Sequence, residues 1–372
     1  MFKKSYTSFA NPANSLFLWD PGIEAFDRCG SNLISRLTHQ KVDFEEYRSL
    51  LERAVQEGRE RQRLAKQQKL SGLRCMPPSL FKDQDLSSAD VSNIRPAKSN
   101  AGRPALDPVL MFRVVFLASI TKRSDQEMAQ AVVSDALVRL FLRVSPGTFI
   151  SRQAIWDYRE LFTQANVSEI IMAHHVNTLC DQGIVSSQGP MILDGSFVEA
   201  PKQRCTRQEN QIIRLGRGDK LWNDQPAKKR QKDIDARWTK KNNEVHYGYK
   251  LHALMDAASK AVICCVNTAA SVHDSRVLGA VLNDEEDKGR MLYADSAYCG
   301  GKLEELVRSF NVIPYFCEKG YKNRPLTDAQ IKSNNKKSKT RCRVEHAFAH
   351  IQTVFKGSFV RTIGFARAQT HI

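Results

Sequence analysis

No apolar run in this 372-residue chain reaches membrane-spanning length. The longest, residues 109–120, is interrupted by Arg113 and stays well short of the ~20 residues a bilayer span requires. The N-terminal MFKKSYTSF lacks the apolar stretch and small-residue cleavage site of a signal peptide, so export is not expected. The nine cysteines stand at 29, 75, 180, 205, 264, 265, 299, 317 and 342 with no CxxC among them. That spacing argues against a zinc ribbon and favours reduced thiols over a disulfide framework. Internal repeats and low-complexity tracts are missing as well. Acidic residues are the last shortage: 40 Asp+Glu face 56 Lys+Arg, a net charge of +16. Such a balance points to a polyanion, either nucleic acid or an anionic membrane surface, and the short apolar runs favour the first.

What is present divides the chain by pattern. The length suggests about two domains. Residues 1–41 contain aromatics without a period and are expected to be irregular. Within 42–100, VDFEEYRSLLERA predicts a helix with Phe44, Tyr47, Leu50, Leu51 and Ala54 on one stripe. The polar, basic remainder, punctuated by Pro77-Pro78 and Pro96, predicts a helix tail and a linker. From 101 to 185 the pattern is helical. Asp107-Pro108 starts a helix over 109–120, apolar nearly all round and hence buried, and Ser124 to Glu127 opens another with capping-box chemistry. A third runs through Leu137, Leu140, Phe141 and Leu142, Ser151 caps a fourth, and 166–183 predicts one more. Short helices joined by tight turns fit a helix-turn-helix-like DNA-binding unit, and fit a plain helical bundle as well.

After Gly189-Pro190 the alphabet changes. Strand-like runs occupy 191–199, 246–256, 260–268, 290–295 and 311–317, and helical patterns 274–282, 301–310 and 341–355. Short connections favour antiparallel pairing of the first strands, and helical crossovers favour parallel pairing of the later ones. The expectation for 186–372 is therefore an α/β domain. It comprises a mixed sheet flanked by helices, with a basic insertion at about 201–243, behind an all-helical N-terminal domain.

Three acids occupy comparable places in this layout. Asp194, in MILDGSFVEA, tops the first strand; alone it reads as a turn residue before Gly. Asp295, in LYADSAYCG, ends the fourth strand. Glu345, in TRCRVEHAFAHIQ, sits early on the last helix, where Val344, Phe348, Ile351 and Phe355 mark a buried stripe. Arg341, Glu345 and Gln352 share the face beside it. With the first and fourth strands as central neighbours, the two aspartates meet at one edge and the last helix lays Glu345 across it. Carboxylates gathered so closely raise one another's pKa or recruit a cation. Hard oxygen ligands select Mg²⁺ or Mn²⁺, and a pair of such ions ~3.5–4 Å apart serves phosphodiester chemistry. A basic protein with that site reads as a nuclease or a strand-transfer enzyme.

The segments VDFEEYRSLLERA, GRPALDPVLMFRVV, AIWDYRELF, DGSFVEAPKQRCTRQEN, WNDQPAKKRQKDIDARWTKK, HYGYKLHALMD, ADSAYCG, RCRVEHAFAHIQ and FVRTIGFARA stand in one order from residue 42 onward. In these the chain resembles a DDE transposase of bacterial insertion sequences, of the insertion-sequence-five type. The resemblance implies an RNase H-like catalytic domain, a divalent metal and a DDE triad falling on Asp194, Asp295 and Glu345, with the family's arginine on Arg341. It also implies binding of terminal inverted repeats and target DNA, a homodimer in the active complex, and a cytoplasmic, nucleoid-associated setting. Two positions depart from the family pattern: Gln352 stands where Lys is usual, so a phosphate contact is expected to be weakened or moved to Lys356, and Ser338 stands where Tyr is often found. Relatives continue past the position of Ile372 into a further apolar helix, so a shortened copy is expected. The alternatives to transposition are an inactive DNA-binding derivative and a structure-specific nuclease.

Supporting residues follow from charge. Lys202, Arg204, Arg207, Lys228, Lys229, Arg230, Lys232, Arg237 and Lys240 crowd the insertion next to Asp194, with Trp222 and Trp238 interleaved. A charge run is usually a solvated face, but here phosphate contacts and base stacking are expected. Lys336, Lys337, Lys339 and Arg343 lead into the Glu345 helix and are expected at the DNA backbone, with a solvated loop as the plainer reading. His346 and His350 have the spacing of a zinc helix without its glutamate, so no zinc is expected there. Asp274 is expected to cap the helix after the third strand, and Tyr298 and Gly300 to shape the turn after Asp295.

Overall fold

A computed structural model describes residues 33–39, 43–70, 105–241, 243–321 and 324–372. Most of residues 1–41, expected to be irregular, and the part of the expected tail and linker of 57–100 beyond residue 70 lie outside them. Residues Leu33–His39, expected to be irregular, form helix α1. The chain divides into two compact units, one of residues 1–119 and 123–167, the other of residues 120–122 and 168–372.

In the first unit, α2 (Arg48–Leu70) packs on α6 (Arg152–Gln164), and α4 (Asp125–Ser134) packs on both α5 (Ala136–Leu142) and α6. Helix α2 extends the predicted helix of 42–54 through the residues expected to be its tail. Helix α3 (Pro108–Thr121) is buried along most of its length, Arg113 included, as a sequence apolar nearly all round requires. Its start is held by Asp107, whose Oδ1 accepts the Val109 N–H at 3.1 Å while the carboxylate takes both arms of Arg48 at 3.0 and 3.2 Å. Ser124 closes a capping box with Glu127, and Ser151 caps α6.

Helix α7 (Val167–Asp181) lies in the second unit from residue 168 onward, and that unit is built on one mixed sheet. Its strands are β1 (Met191–Glu199), β2 (Arg237–Lys241), β3 (Glu244–Asp256), β4 (Val262–Ala269), β5 (Met291–Ala294) and β6 (Ile313–Phe316), in the order β2-β3-β1-β5-β6. The long β3 runs antiparallel to β1 along one side. Its other side pairs first with β2 and then with β4. Strands β1, β5 and β6 are parallel. Alternation along β1 serves two cores. Met191 and Leu193 face Leu254, Leu292 and Ala294, whereas Ile192 faces Ala253, Tyr293 and Val344.

Around the sheet stand α8 (Arg207–Arg214) and α9 (Pro226–Arg230) in the insertion, then α10 (Leu278–Val281), α11 (Gly301–Ser309), α12 (Asp328–Arg341), α13 (Arg343–Thr353) and α14 (Phe365–His371). Two expectations for these helices are not met. The lysine-rich stretch before Glu345 is helix α12 and not a loop, because Thr327 and Gln330 form a reciprocal capping box. The segment at 274–282 is a 3₁₀ turn, Asp274–Val277, followed by α10, and its cap is His273, whose Nδ1 accepts the Ser275 N–H at 3.3 Å. Asp274 does not cap it, since its carboxylate is bonded to Lys250 at 2.8 Å.

Candidate active site

The parallel register of β1 and β5 brings two acids level. Ile192 pairs with Tyr293, and Asp194 and Asp295 each lie two residues further on, so they leave neighbouring strands at the same height. Asp194 is half-buried. Its Oδ1 accepts the Gly195 N–H at 2.8 Å and its Oδ2 the Arg341 Nη1–H at 2.9 Å. Burial pushes its carboxyl upward, and the charge of Asp295 adds to the push; the Gly195 N–H, Arg341 and Lys241 oppose it. Asp295 accepts the Ala297 N–H at 2.8 Å and so starts the 3₁₀ turn Ser296–Tyr298.

Helix α13 covers this face of the sheet by burying Val344 against Ile192, Ala253 and Tyr293. That anchor fixes its neighbours. Arg341, at the end of α12, reaches Asp194 with one arm, and its Nη2 lies 3.8 Å from Glu345 Oε1. The Glu345 side chain is 67% exposed. Further along the face, Gln352 donates to Ser196 Oγ at 3.1 Å.

Arg341 therefore links the acid on β1 to the acid on α13, and its guanidinium answers the repulsion that the sequence predicts for them. Among the described residues no three acid, histidine or cysteine side chains stand close enough to hold a metal ion. The donors still fit one chemically. Asp194, Asp295 and Glu345 offer only hard oxygens, and the Glu345 carboxylate is exposed.

The opposite face of β1 carries Lys250 and His252, to which the sequence assigned no role, together with Asp274 and Tyr298. Gly195 has no side chain, and a Cβ there would stand 3.2 Å from His252 Nδ1 and 3.5 Å from Asp274 Oδ1. Lys250 donates to Asp274 Oδ1 and to the Val272 carbonyl, both at 2.8 Å. His252 is fully buried, bonded through Nε2 to Thr268 Oγ1 at 2.9 Å, and burial lowers its pKa to about 4. The Tyr298 hydroxyl is buried without a hydrogen-bond partner among the described residues. Burial raises its pKa, and the charges of Asp274, Asp194 and Asp295 raise it further. The available signal was Lys250 and His252 alternating on one face of the central, mostly apolar part of β3.

The basic residues fall into two groups. Lys202, Arg204, Arg207, Arg230, Lys240, Lys336 and Lys339 are exposed, as is Trp238, whose ring packs beside Tyr247 at 4.7 Å. The others are engaged within the fold. Lys228 pairs with Glu209 at 2.9 Å, Lys229 donates to Asp219 O and Asn223 Oδ1, and Lys232 donates to the Arg204 carbonyl. Arg237 donates to the Ile234 and Ile213 carbonyls, Lys337 to Phe316 O and Arg343 to Ala257 O. Trp222, expected to be free for stacking, is buried with its Nε1–H on Glu209 at 2.7 Å. The insertion is ordered, with α8 started by the Thr206–Glu209 capping box, and consumes part of its charge internally. His346 and His350 are exposed.

A family model described as a transposase DDE domain matches residues 186–372, half of the chain. A second, described as a transposase domain, matches residues 80–161. No solved structure matches the chain. The DDE domain carries an RNase H-like fold, and the six-stranded mixed sheet with flanking helices is of that kind. With Asp194, Asp295 and Glu345 inside the matched region, the chain belongs to the DDE transposases of insertion-sequence type.

Proposed function

We propose that this transposase binds the ends of its own element, hydrolyses a phosphodiester at each, and uses the freed 3′-hydroxyl to attack target DNA. The observation that supports this most is the Asp194–Asp295 pair at matched height on parallel strands, tied through Arg341 to Glu345. Asp194, Asp295 and Glu345 would hold Mg²⁺ or Mn²⁺, which supplies activation of the attacking oxygen and stabilisation of the leaving one. The protein's own groups do the rest. Arg341 favours the ionised form of a carboxylate that burial disfavours and restrains Glu345. Lys202, Arg204, Arg207, Arg230, Lys240, Lys336 and Lys339 neutralise phosphates, and Trp238 offers an exposed ring for stacking. The helical first unit recognises the element ends, and the active assembly is a cytoplasmic homodimer on DNA.

A supercoiled plasmid carrying the element ends tests this. Nicking and strand transfer should require Mg²⁺ or Mn²⁺, stop on chelation, and disappear in Asp194→Ala, Asp295→Ala and Glu345→Ala. Cleavage that persists in any of the three would remove that residue from the triad. Nicking without transfer products would reduce the activity to that of a nuclease.

A further inference from the structure

Helix α2 changes character at Gly58. Up to that point Leu51, Ala54 and Val55 are buried at helical spacing. Gly58 approaches α6 so closely that a Cβ would collide with the Leu161 side chain. Arg59 then donates to the Tyr158 hydroxyl at 3.0 Å. Arg61 lies 3.8 Å from Glu57 and donates at 3.4 Å to the carbonyl of Gln164, the last residue of α6. There α6 stops and α2 continues to Leu70, a further stretch of about 14 Å at the usual helical rise. Gln62, Arg63 and Leu64 are all exposed.

The stretch that outruns α6 is basic. Arg63, Lys66 and Lys69 follow one another at three-residue spacing, and no acid occurs between Glu60 and Leu70. That spacing puts the three positions on one side of the helix. A largely polar helical end that runs past its packing partner is marginal by itself, and a partner carrying negative charge stabilises it. Candidate partners fit unequally. A membrane needs an apolar face, and only Leu64 and Leu70 are large and apolar within residues 59–70. A second copy of this helix presents the same cations and is repelled. Duplex DNA offers phosphates along a major groove about 12 Å wide, which admits a helix, and continuous basic helices lie in it. The deep, narrow major groove of duplex RNA does not admit one.

We propose that residues 62–70 of α2 grip duplex DNA through its phosphates, whatever the sequence. This attachment needs none of the carboxylates of the second unit. It rests on DNA being the substrate, as proposed above, and adds a second place where the chain holds it.

Fluorescence anisotropy of the full chain on a random-sequence DNA duplex tests it, in EDTA and across a salt series. The variant is the triple Arg63→Gln, Lys66→Gln and Lys69→Gln, since glutamine keeps the helix propensity of the residues it replaces. The slope of log K against log salt should fall by about 2 to 3, at ~0.9 per phosphate contact. The charge-keeping triple Arg63→Lys, Lys66→Arg and Lys69→Arg should retain the wild-type slope. An unchanged slope in the glutamine triple would overturn the proposal, and a lowered melting temperature beside it would make the three cations stabilisers of the helix end only. A slope lost in the charge-keeping triple too would overturn the role of charge. An equal loss on duplex RNA would overturn the assignment to DNA. Phosphatidylserine vesicles that bind the wild type and not the glutamine triple, with the duplex slope unchanged, would put a membrane in its place. A wild type that binds no duplex would overturn this proposal and the strand chemistry together, whereas a duplex bound with an unaltered slope overturns this proposal alone.

Discussion

At the level of single residues, the site combines groups whose structural weights differ. Glu345 is largely exposed and meets Arg341 only at 3.8 Å. Glu345→Ala should therefore change the unfolding free energy by no more than about 0.5 kcal/mol, while abolishing nicking. Parallel urea titration and plasmid assay would show that separation. His252 behaves in the opposite way. Burial lowers its pKa from 6.5 to about 4, so between those values the unfolded chain binds the proton that the folded chain refuses. Stability is full above pH 6.5, falls as the pH drops toward 4, and levels off below, a loss of about 3 kcal/mol for this group. A His252→Gln variant should show a correspondingly shallower fall in the urea midpoint from about pH 7 to pH 4.5. An unchanged slope would assign the acid sensitivity to other groups.

At the level of elements, Gly248 decides how β3 serves two partners. It pairs with Glu199 of β1 and Arg237 of β2, at φ +148°, and a Cβ there would fall 2.3 Å from Val198 O and 2.7 Å from Ala200 N. The obstructing atoms are backbone and have no rotamer to yield. Gly248→Ala should cost more than about 3 kcal/mol, beyond the usual range for single substitutions, visible as a large drop in melting temperature. Most elements were legible because their signals are local. The Asp107-Pro108, Ser124–Glu127 and Ser151 starts all hold, and the five predicted strands all form, three of them shorter than predicted. Helix α12 and strand β2 were not legible. The first hid its cap before a run of Lys, Asn and Ser. The second is a charged strand whose place depends on pairing with β3.

For the whole molecule, the net charge of +16 predicts strongly salt-dependent DNA binding. Because the insertion consumes some of its cations internally, those that count toward the salt slope can be distinguished. Lys240→Ala and Lys336→Ala, at exposed positions, should each lower the slope of log K against log salt by about 1. Lys229→Ala, whose ammonium is bonded to Asp219 O and Asn223 Oδ1, should leave the slope unchanged and lower the melting temperature instead. Fluorescence anisotropy across a salt series separates the two outcomes. By itself the sequence determined the helical first part, the mixed α/β second part, the strand ends that carry Asp194 and Asp295, and the helical turn that carries Arg341 and Glu345, since period, caps and spacing act within a few residues. Only the tertiary structure decided that Arg341 joins Asp194 to Glu345, that Lys250, His252, Asp274 and Tyr298 gather behind Gly195, and which lysines remain free. Those outcomes depend on which strands lie side by side and which side chains meet across the sheet, over separations as long as the 147 residues between Asp194 and Arg341, where no local pattern reaches.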